Sequence, residues 1–566
     1  MSVTSCMKHH VVSITPDTTI HEAATIFVKK HIGLLPVVDK ENKPIGVIGM
    51  RDLLKLELPD FVNFVVDVDF VHDFGAVEDT RPPARTLNKK VKSLMRPVIT
   101  VEEDAGLLRA YALMLQQNLH DIPVVSKDGK LIGIASRVDV GVAILSIIIF
   151  FGSLALIFSE KINRSIVAIA GSVLMIGVGT LFNFYSEEAA IEAIDFNTLG
   201  LLMGMMILVA MLEPTGFFEY LAVLAARASE GKPMRLFILL GSITTVLSMF
   251  LDNVTTVVLI APVTILISEI LGVSALPYLV TEALLSNTGG VATLVGDPPN
   301  VLIGSAAGLS FNDFLIYSLP IVLVSWAGAL FLLRFLFKKE LSKRPRRSKA
   351  VMKLNPAETL NHPETARKIL IVLGGAILFF FVHHLLHIEP SFVALSAAAI
   401  ALMWVQPDIH EVLNKVEWSV LLFFGSLFVM VGGLEHAGVL EMVVLLFDNV
   451  NGIPPVLFGV FVIWIVAALS AVVDNVPITI ALIPVIKGLG ETGMDIGPLW
   501  WALAFGAGFG GSGTIIGSSA NIIVATLSEK TRTPITSALW LKRGMPVMLV
   551  TCTIASVLFA IFYRWL

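Results

Sequence analysis

The chain has 566 residues, of which 55% are hydrophobic and only 15% charged, and its mean hydropathy is +0.82. This exceeds the apolar content of soluble globular domains, so the composition predicts an integral, multi-pass protein of the cell membrane. The net charge of −5 gives no indication of a nucleic-acid partner, and the two cysteines, Cys6 and Cys552, do not suggest a disulfide framework.

Residues 1–139 differ from the rest because they are mixed and charged, without long apolar runs. Residues 6–56 and 91–140 form two similar units. Each predicts a strand, an amphipathic helix, a strand ending in PVV, a polar turn (ENKP or KDGK) and a further strand. The two units resemble a pair of CBS domains, which implies an α/β regulatory domain over 1–139.

CBS pairs often bind adenine nucleotides, using a Gly-x-x-Ser/Thr-x-x-Asp pattern whose hydroxyl and carboxylate contact phosphate and ribose. The second unit keeps this pattern with Ser136 and Asp139, whereas the first has Asp52 but Gly49 at the hydroxyl position. The resemblance therefore implies an adenine-nucleotide site at Ser136 and Asp139. The alternative is a CBS pair that dimerises without binding a ligand.

The remaining chain contains an internal repeat. LSMFLDNV (247–254) matches LSAVVDNV (469–476) at an offset of 469 − 247 = 222 residues. GGVATLVGDPPN (289–300) matches GGSGTIIGSSAN (510–521) at an offset of 510 − 289 = 221. LEPTG matches LEHAG and APV matches IPV in the same way. Four matched pairs at nearly one offset predict two homologous halves.

The halves cover residues 140–337 (repeat 1) and 369–566 (repeat 2). The linker between them, residues 338–368, contains ten Lys and Arg against three acids, which predicts a cytoplasmic location. An odd number of crossings, five in each half, makes the two halves inverted. The side of the N-terminus stays open, because this count places the CBS pair outside the cell.

Each half predicts two spans, a broken segment with an amphipathic continuation (GFFEYLAVLAAR or GVLEMVVLLF), a helix–turn–helix, a glycine-broken helix and a final span. The helix–turn–helix has Asp-Asn at its tip and is interpreted as a re-entrant hairpin, because its arms look short. The fold class is thus a polytopic α-helical membrane protein with two inverted repeats, re-entrant hairpins and broken helices.

The helix breaks supply the backbone and side-chain groups of the predicted site. Helix ends at a break leave N–H and C=O groups that can hold a ligand, and Pro298 and Pro299 prevent a continuous helix. A carboxylate such as Asp297 is costly inside a membrane and commonly marks an ion or proton pathway. The alternatives are an N-cap role for each Asp-Asn pair and close helix packing for the glycines.

The motifs MFLDNVTTVVLIAPVTI, SNTGGVATLVGDPPNVLIGS, DNVPIT and AFGAGFGGSGTIIGSSANI resemble the ion transporter superfamily, in the branch of arsenite permeases, NhaD-type antiporters and the P protein. The resemblance implies a homodimer in which a transport domain moves like an elevator against a scaffold. It also implies that the substrate and ion site lies at Asp252, Asn253, Thr255, Thr293, Asp297, Asn300, Asp474, Asn475, Thr514 and Asn521.

The two aspartate tips disfavour a large anion and favour coupling to H⁺ or Na⁺. We therefore expect a secondary transporter for a small inorganic solute (an arsenite-like oxyanion or Na⁺/H⁺), with no required cofactor. The alternative is a gated anion (chloride) channel of the P-protein type. An intramembrane aspartyl protease is not expected, because the glycine of its Gly-x-Gly-Asp motif is replaced by Leu294. HHLLH (383–387) offers an i,i+4 histidine pair that could bind a metal, but its position at a helix end favours an interfacial role, so no metal site is expected.

Overall fold

The computed structural model describes residues 1–566 except 1, 2, 4–6, 9, 10, 31, 55–86, 160, 343, 344, 346, 347, 440–453, 492 and 532. The chain divides into two compact units, which are described separately. The first comprises Met1–Ile149, Gly177–Ser186 and Gly433–Leu446, and the second comprises the remainder. Most of the predicted amphipathic segment GVLEMVVLLF lies outside the described residues, as do four basic residues of the linker.

The first unit contains two small α/β layers. Their strands are β1 (Leu34–Val38), β2 (Pro44–Gly49), β3 (Val101–Glu102), β4 (Asp121–Val125) and β5 (Leu131–Ser136). Their helices are α1 (Ile20–Lys30), α2 (Met50–Leu54) and α3 (Leu107–Gln116). β1 pairs with β2 antiparallel, whereas β4 pairs with β3 in parallel and with β5 antiparallel. In the first copy, the predicted initial strand is reduced to a single bridge between Ile14 and Val37.

Burial explains the α/β arrangement of this unit. α1 is amphipathic and places Ile20, Ala23 and Phe27 in a core with the strand residues Leu35 and Ile48. The turn residue Asn42 has a positive φ of 64° and donates its side-chain N–H to the Leu131 carbonyl oxygen at 3.2 Å. This bond joins the two copies of the CBS pair.

The membrane region is helical and lies mainly in the second unit. Repeat 1 contributes α4 (Arg137–Phe158), α5 (Arg164–Leu181), α6 (Glu187–Glu192), α7 (Phe196–Leu212), α8 (Phe217–Ala228), α9 (Pro233–Ser248), α10 (Asn253–Leu271), α11 (Leu276–Gly290), α12 (Pro298–Ala307) and α13 (Leu319–Leu336). The boundary between the CBS pair and the membrane region falls inside a helix, because α4 begins at Arg137 and continues into the first span. A separate short π-helix, Phe314–Ser318, precedes α13.

Repeat 2 contributes α14 (Pro363–Val382), α15 (Pro390–Val405), α16 (Ile409–Lys415), α17 (Trp418–His436), α18 (Pro455–Val472), α19 (Asn475–Glu491), α20 (Gly497–Gly510), α21 (Ser519–Ser528) and α22 (Ser537–Phe562). Corresponding helices of the two repeats, from the pair α7 and α17 to the pair α12 and α21, begin 221 or 222 residues apart. For example, α10 begins at Asn253 and α19 at Asn475, and α12 begins at Pro298 and α21 at Ser519.

The described residues include ten helices that are long and apolar enough to cross a membrane, so the chain is a multi-pass membrane protein. The expectation that all hairpin arms are short is wrong for α9, α10 and α18, which are among these ten. Of the four hairpin arms, α19 alone is among the described apolar helices that are too short to count as candidate spans. The interpretation of the hairpins as re-entrant therefore cannot rest on their length.

Glycine has a steric role where α7 gives way to α8. Gly216 adopts a φ of +78°, and a Cβ atom there would lie 1.9 Å from the Thr359 carbonyl oxygen. Only glycine combines that left-handed backbone with such a close approach. This explains the break after α7, where the sequence reads LEPTG.

Candidate functional site

The tips of the two hairpins, α9–α10 and α18–α19, meet at one cavity of about 50 Å³. Its polar and charged lining residues are Arg164, Asp252, Asn253, Asp297, Glu417, Asp474, Asn475, Ser518 and Ser519. Four carboxylates therefore face one arginine, and both repeats contribute to the lining.

Four helices begin at this cavity. α10 begins at Asn253 and α19 at Asn475, directly after the tip aspartates, while α12 begins at Pro298 and α21 at Ser519, directly after the two breaks. The N-terminus of a helix carries unpaired N–H groups and about half a positive charge, which stabilises nearby carboxylates. The breaks thus explain how three aspartates are tolerated at the ends of apolar helices.

The tip of repeat 1 is held by a local cap. Asp252 accepts hydrogen bonds from the backbone N–H of Thr255 at 2.9 Å and from its hydroxyl at 2.8 Å. This is an N-cap, as the alternative interpretation of the Asp-Asn pair expects. The same aspartate lines the cavity, so the N-cap and a place at the site occur together.

The tip of repeat 2 is held differently, because Pro477 occupies the position of Thr255 and offers neither an N–H nor a hydroxyl. Asp474 instead forms a salt bridge with Arg164 at 2.8 Å and accepts a hydrogen bond from the Ser519 hydroxyl at 2.9 Å. Arg164 also donates to Ser519 at 3.1 Å. This triad connects the start of α5 with the tip and the break of repeat 2.

Asp297 connects the break of repeat 1 with the opposite hairpin. Its side chain is 1% exposed, and both its carboxylate oxygens accept from the Asn475 amide, at 3.3 and 3.0 Å. Among the described residues Asp297 forms no salt bridge. A buried carboxylate with one neutral donor is costly unless a bound cation or a proton compensates it.

Both breaks are tied in the same way. Asn300 donates its amide to the carbonyl oxygens of Gly290 and Thr293 at 3.1 and 2.8 Å, and Asn521 does the same to Gly511 and Thr514 at 2.7 and 2.9 Å. The hydroxyls of the two threonines donate to backbone carbonyls of the hairpins, at Met249 and Ala471 respectively. These bonds fix each break against its own hairpin.

Asn287 joins the two repeats beneath the cavity. Its amide donates to Asn521 at 3.0 Å, while its carbonyl oxygen accepts from the Asn253 amide at 3.2 Å and from the Ser518 hydroxyl at 3.0 Å. The side chain is 1% exposed. Its counterpart in repeat 2 is Gly508, so this junction occurs once in the molecule.

An apolar wall faces the polar tips. It consists of side chains from the repeat-related helices α7 and α17, namely Leu202, Met206, Val420, Phe423 and Phe424. The Arg164 guanidinium lies 5.4 Å from the centre of the Phe423 ring, within the range of a cation–π interaction. The cavity is thus polar where the hairpins meet and apolar along the two other helices.

The structure places five of the ten predicted site residues in the lining: Asp252, Asn253, Asp297, Asp474 and Asn475. Thr255 donates hydrogen bonds to Asp252 at the first tip. The remaining four form hydrogen bonds to backbone carbonyls of the breaks and hairpins: Thr293, Asn300, Thr514 and Asn521. The sequence interpretation missed Arg164, Glu417, Ser518 and Ser519. The repeat alignment contains a signal for the two serines, because they occupy the positions of Asp297 and Pro298.

In the CBS pair, the two predicted nucleotide residues lie at the junction of β5 and α4. Ser136 ends the strand and accepts from the Val138 backbone N–H at 3.1 Å, and Asp139 lies in the first turn of the helix, half-buried. Nearby, burial raises the pKa of Asp121. Asp139 forms no salt bridge within the described part of the chain.

The first CBS copy is arranged differently. Asp52 accepts from the backbone N–H of Gly49 at 2.9 Å and forms a salt bridge with Arg96 at 2.9 Å. Its carboxylate is therefore occupied by protein groups. The nucleotide site at Ser136 and Asp139 of the second copy stays a prediction.

A second cavity of about 420 Å³ contains the three histidines of HHLLH, His383, His384 and His387. His383 is buried, and one of its ring nitrogens lies 2.8 Å from the Ile388 carbonyl oxygen. Across the described residues, no group of three or more His, Cys, Asp or Glu side chains is placed to hold a metal ion.

Comparison with known families gives two matches. The family model described as citrate transporter (CitMHS) matches residues 154–506, more than half of the chain. The CBS domain model matches residues 3–58 and 91–145. The front of the chain is therefore a CBS pair, as the sequence predicted.

Among curated proteins, the chain is 38% identical over 432 residues to an uncharacterized transporter of Mycobacterium tuberculosis, covering 75% of this chain and 98% of that protein. It is 36% identical over 432 residues to the 46 kDa membrane protein of Mycobacterium leprae, with the same coverage. It is 33% identical over 552 residues to the human P protein, covering 83% of this chain and 64% of that protein. The predicted resemblance to the P protein is confirmed.

Among solved structures, the crystal structure of CBSX2 in complex with AMP is similar to this chain at 29% identity and a TM-score of 0.20. The similarity covers 26% of this chain and 97% of the CBSX2 chain.

Proposed function

The chain belongs to the citrate transporter (CitMHS) family, and on this basis we propose that it is a secondary active transporter of a small inorganic solute, coupled to H⁺ or Na⁺. The solute is an arsenite-like oxyanion, or Na⁺ in exchange for H⁺. One observation carries the proposal: Asp252, Asp297 and Asp474, from both repeats, line one small cavity.

The charges of the cavity favour a cation as the coupling species. Four carboxylates face a single arginine, and Arg164 is already paired with Asp474. Asp252 and Asp297 have no cationic partner among the described side chains, so a bound Na⁺ or proton offsets a cost that the protein does not otherwise compensate. The four helix N-termini supply partial positive charge at the same point, which suits the oxygen atoms of a small oxyanion.

The size of the cavity supports a small solute. A volume of about 50 Å³ holds only a few water molecules or a dehydrated ion, whereas drug-sized ligands occupy pockets of roughly 300–1,000 Å³. The family model is described as a citrate transporter, and citrate carries several carboxylates. In this chain, acids at both tips repel such an anion, so we propose an inorganic solute.

We further propose an elevator motion and a homodimer. In this arrangement the hairpins, together with the broken helices α11–α12 and α20–α21, form the transport domain. It slides along the apolar wall formed by α7 and α17, whose aliphatic and aromatic lining side chains have no hydrogen-bonding groups. Breakage and re-formation of the Arg164–Asp474 salt bridge accompanies the motion, because α5 does not belong to the transport domain.

Adenine nucleotides are proposed as regulators at Ser136 and Asp139. The hydroxyl and the carboxylate lie three residues apart across the junction of β5 and α4, and the corresponding carboxylate of the first copy is occupied by Arg96. A nucleotide at this site changes the transport rate only if it binds two conformations with different affinity.

Flux in proteoliposomes tests the main proposal. Purified protein is reconstituted, and uptake of arsenite, ²²Na⁺ and ³⁶Cl⁻ is measured with and without an imposed pH or Na⁺ gradient. We expect at least one of the first two probes to accumulate against its own gradient when a cation gradient is imposed. Uptake that never responds to either gradient overturns the coupling.

A gated anion channel is the second candidate, favoured by Arg164 and the four helix N-termini at the cavity. Its signature in the same vesicles is passive chloride flux that follows the membrane potential and ignores the cation gradients. Empty liposomes and liposomes containing the Asp297→Asn variant serve as controls for leakage.

A further inference from the structure

A second buried acid lies outside the three-aspartate cavity. Glu282 occupies the middle of α11 and is 0% exposed. One carboxylate oxygen accepts from the Thr264 hydroxyl of α10 at 2.5 Å, and the other has no hydrogen-bond partner in the described structure. Its helix lies in an apolar core that includes Leu279, Val280 and Ala283. An ionised carboxylate in such surroundings is costly unless it is paired.

Other buried polar groups on α11 and on two helices packed against it also lack a partner among the described residues. Four further buried hydroxyls on α9, α10 and α11 have no hydrogen-bond partner among the described residues: Thr244, Thr256, Ser268 and Thr281. Since buried polar groups are nearly always paired, a group of orphaned oxygens on three packed helices points to a proton, an ion or water that completes the bonding.

Repeat 2 shows that the fold does not require these polar groups. At the corresponding positions it has Val466, Ile478, Ile486, Gly490, Ala502 and Leu503. Four of these residues, Val466, Ile478, Ile486 and Leu503, pack together in one apolar core cluster. The same helix packing is therefore achieved with leucine at the position of Glu282, so packing alone does not explain the acid.

The helix that carries Glu282 reaches the cavity through a serine. Ser286 lies one turn further along α11 on the same face, and its hydroxyl donates to the Asn253 carbonyl oxygen at 3.0 Å and lies 3.2 Å from the Ser248 hydroxyl. Asn253 lines the cavity. On the other side, Thr264 and Ser268 continue along α10, one turn apart.

Charged groups are kept away from Glu282. The titratable side chains on its own helix and on the helices packed against it are Tyr278, Arg235, Glu269, Arg334, Lys542, Arg543 and Cys552. Arg235 pairs with Glu230, and Arg543 lies 3.6 Å from Glu340. Glu269, Arg334 and Lys542 are exposed, and none of the seven forms an ion pair or hydrogen bond with Glu282. A proton is the ligand that neutralises a carboxylate without further protein ligands.

We propose that Glu282 is a proton-binding site of the transport domain, separate from the aspartate cavity. Its carboxylate takes up one proton to become a carboxylic acid and releases it again as the carboxylate, and water held by the buried hydroxyls carries the proton to and from it. The role of Glu282 in coupling rests on the proposed function, with H⁺ as the coupling ion. The binding of a proton by Glu282 does not depend on that function.

Infrared difference spectroscopy of the full-length protein in lipid tests the site without knowledge of the substrate. A pH titration monitors the C=O stretch of protonated carboxyl groups in the wild type and in Glu282→Gln. We expect Glu282→Gln to lose one titrating carboxyl band that Glu269→Gln, an exposed acid on α10, retains. An unchanged set of bands in Glu282→Gln overturns the proposal.

A second variant keeps the test decisive if Glu282→Gln does not fold. Thr264→Val removes the one hydrogen bond to the carboxylate, so the pH at which the band appears moves. A titration identical to that of the wild type overturns the proposal.

Flux separates this inference from the proposed function. We expect Glu282→Gln to lose the response of arsenite or ²²Na⁺ uptake to a pH gradient, and Glu269→Gln to keep that response. A wild type that ignores both cation gradients refutes coupled transport, while the infrared result still decides whether Glu282 binds a proton. A wild type that responds to pH, with Glu282→Gln responding equally, refutes the role of Glu282 alone.

Discussion

The two hairpin tips share the Asp-Asn pair but stabilise the aspartate by different means. In repeat 1, Asp252 caps helix α10 by accepting hydrogen bonds from Thr255, whereas in repeat 2 proline at the position of Thr255 leaves Asp474 to pair with Arg164. The break residues differ in a complementary way, with Asp-Pro in repeat 1 and Ser-Ser in repeat 2. The duplication therefore provides the framework of the site, and the unlike residues provide its charge pattern.

The largest expected effect comes from the position where the breaks differ most. Asp297→Asn should lower gradient-driven uptake by roughly 100-fold, because a buried carboxylate that binds a cation contributes about 3 kcal/mol. Ser518→Ala, at the matched position of repeat 2, removes one neutral hydrogen bond of about 1 kcal/mol and should cost less than about tenfold. Uptake rates in proteoliposomes measure both, and equal losses would contradict the asymmetry.

The salt bridge distinguishes the two tips. Arg164→Gln leaves Asp474 without its cation, and we expect uptake without an imposed cation gradient to fall about tenfold, which corresponds to about 1.4 kcal/mol. Adding Asp474→Asn should recover part of this loss of downhill uptake, because the unpaired charge is removed. Adding Asp252→Asn should not, since Asp252 accepts hydrogen bonds from Thr255 and does not pair with Arg164. A double-mutant cycle on initial rates gives the coupling, and equal rescue by both would count against the assignment.

The junction at Asn287 tests whether the repeats depend on each other for stability. Asn287→Ala removes bonds to Asn253, Ser518 and Asn521 and should lower the free energy of unfolding by about 1–3 kcal/mol. Asn312→Ala, which removes one exposed bond to the Phe381 carbonyl oxygen, should change it by less than about 0.5 kcal/mol. Thermal unfolding in detergent measures both, and similar values would show that the junction contributes little.

The smallest expected effect on basal transport concerns the CBS copies. Asp139→Ala should abolish adenine-nucleotide binding and leave basal uptake unchanged. Asp52→Ala should leave binding intact but lower stability by about 1–3 kcal/mol, because Arg96 and the Gly49 N–H lose their partner. Calorimetry with ATP, ADP and AMP on the full protein checks the first result. Wild-type protein that binds none of them would leave the CBS pair as a structural module.

The sequence predicted the CBS pair, the internal repeat and the helix breaks, because each has a local pattern of turn residues, caps or glycines. It also identified the three aspartates, since acids within apolar segments stand out. Arg164 was missed because an arginine between two spans is indistinguishable from an ordinary loop charge until tertiary contacts bring it to Asp474. Glu282 was overlooked although the repeat alignment contrasts it with Leu503.

The neutral polar residues illustrate a further limit of sequence reasoning. Thr293, Asn300, Thr514 and Asn521 recur at matched positions, and recurrence alone does not distinguish a ligand from a structural tie. The structure shows each of them bonded to backbone carbonyls of its own break or hairpin. Their role as direct ligands stays a prediction, and the ties are sufficient to explain why they are paired.

The central claim is that the aspartates at the two tips couple solute movement to a cation gradient. Its most direct test is uptake of arsenite and ²²Na⁺ into proteoliposomes across a range of pH, comparing the wild type with Asp252→Asn and Asp474→Asn. The account predicts that the wild type accumulates one probe under an imposed H⁺ or Na⁺ gradient and that each variant, though folded, loses this response. Normal transport by both variants with unchanged pH dependence would contradict it.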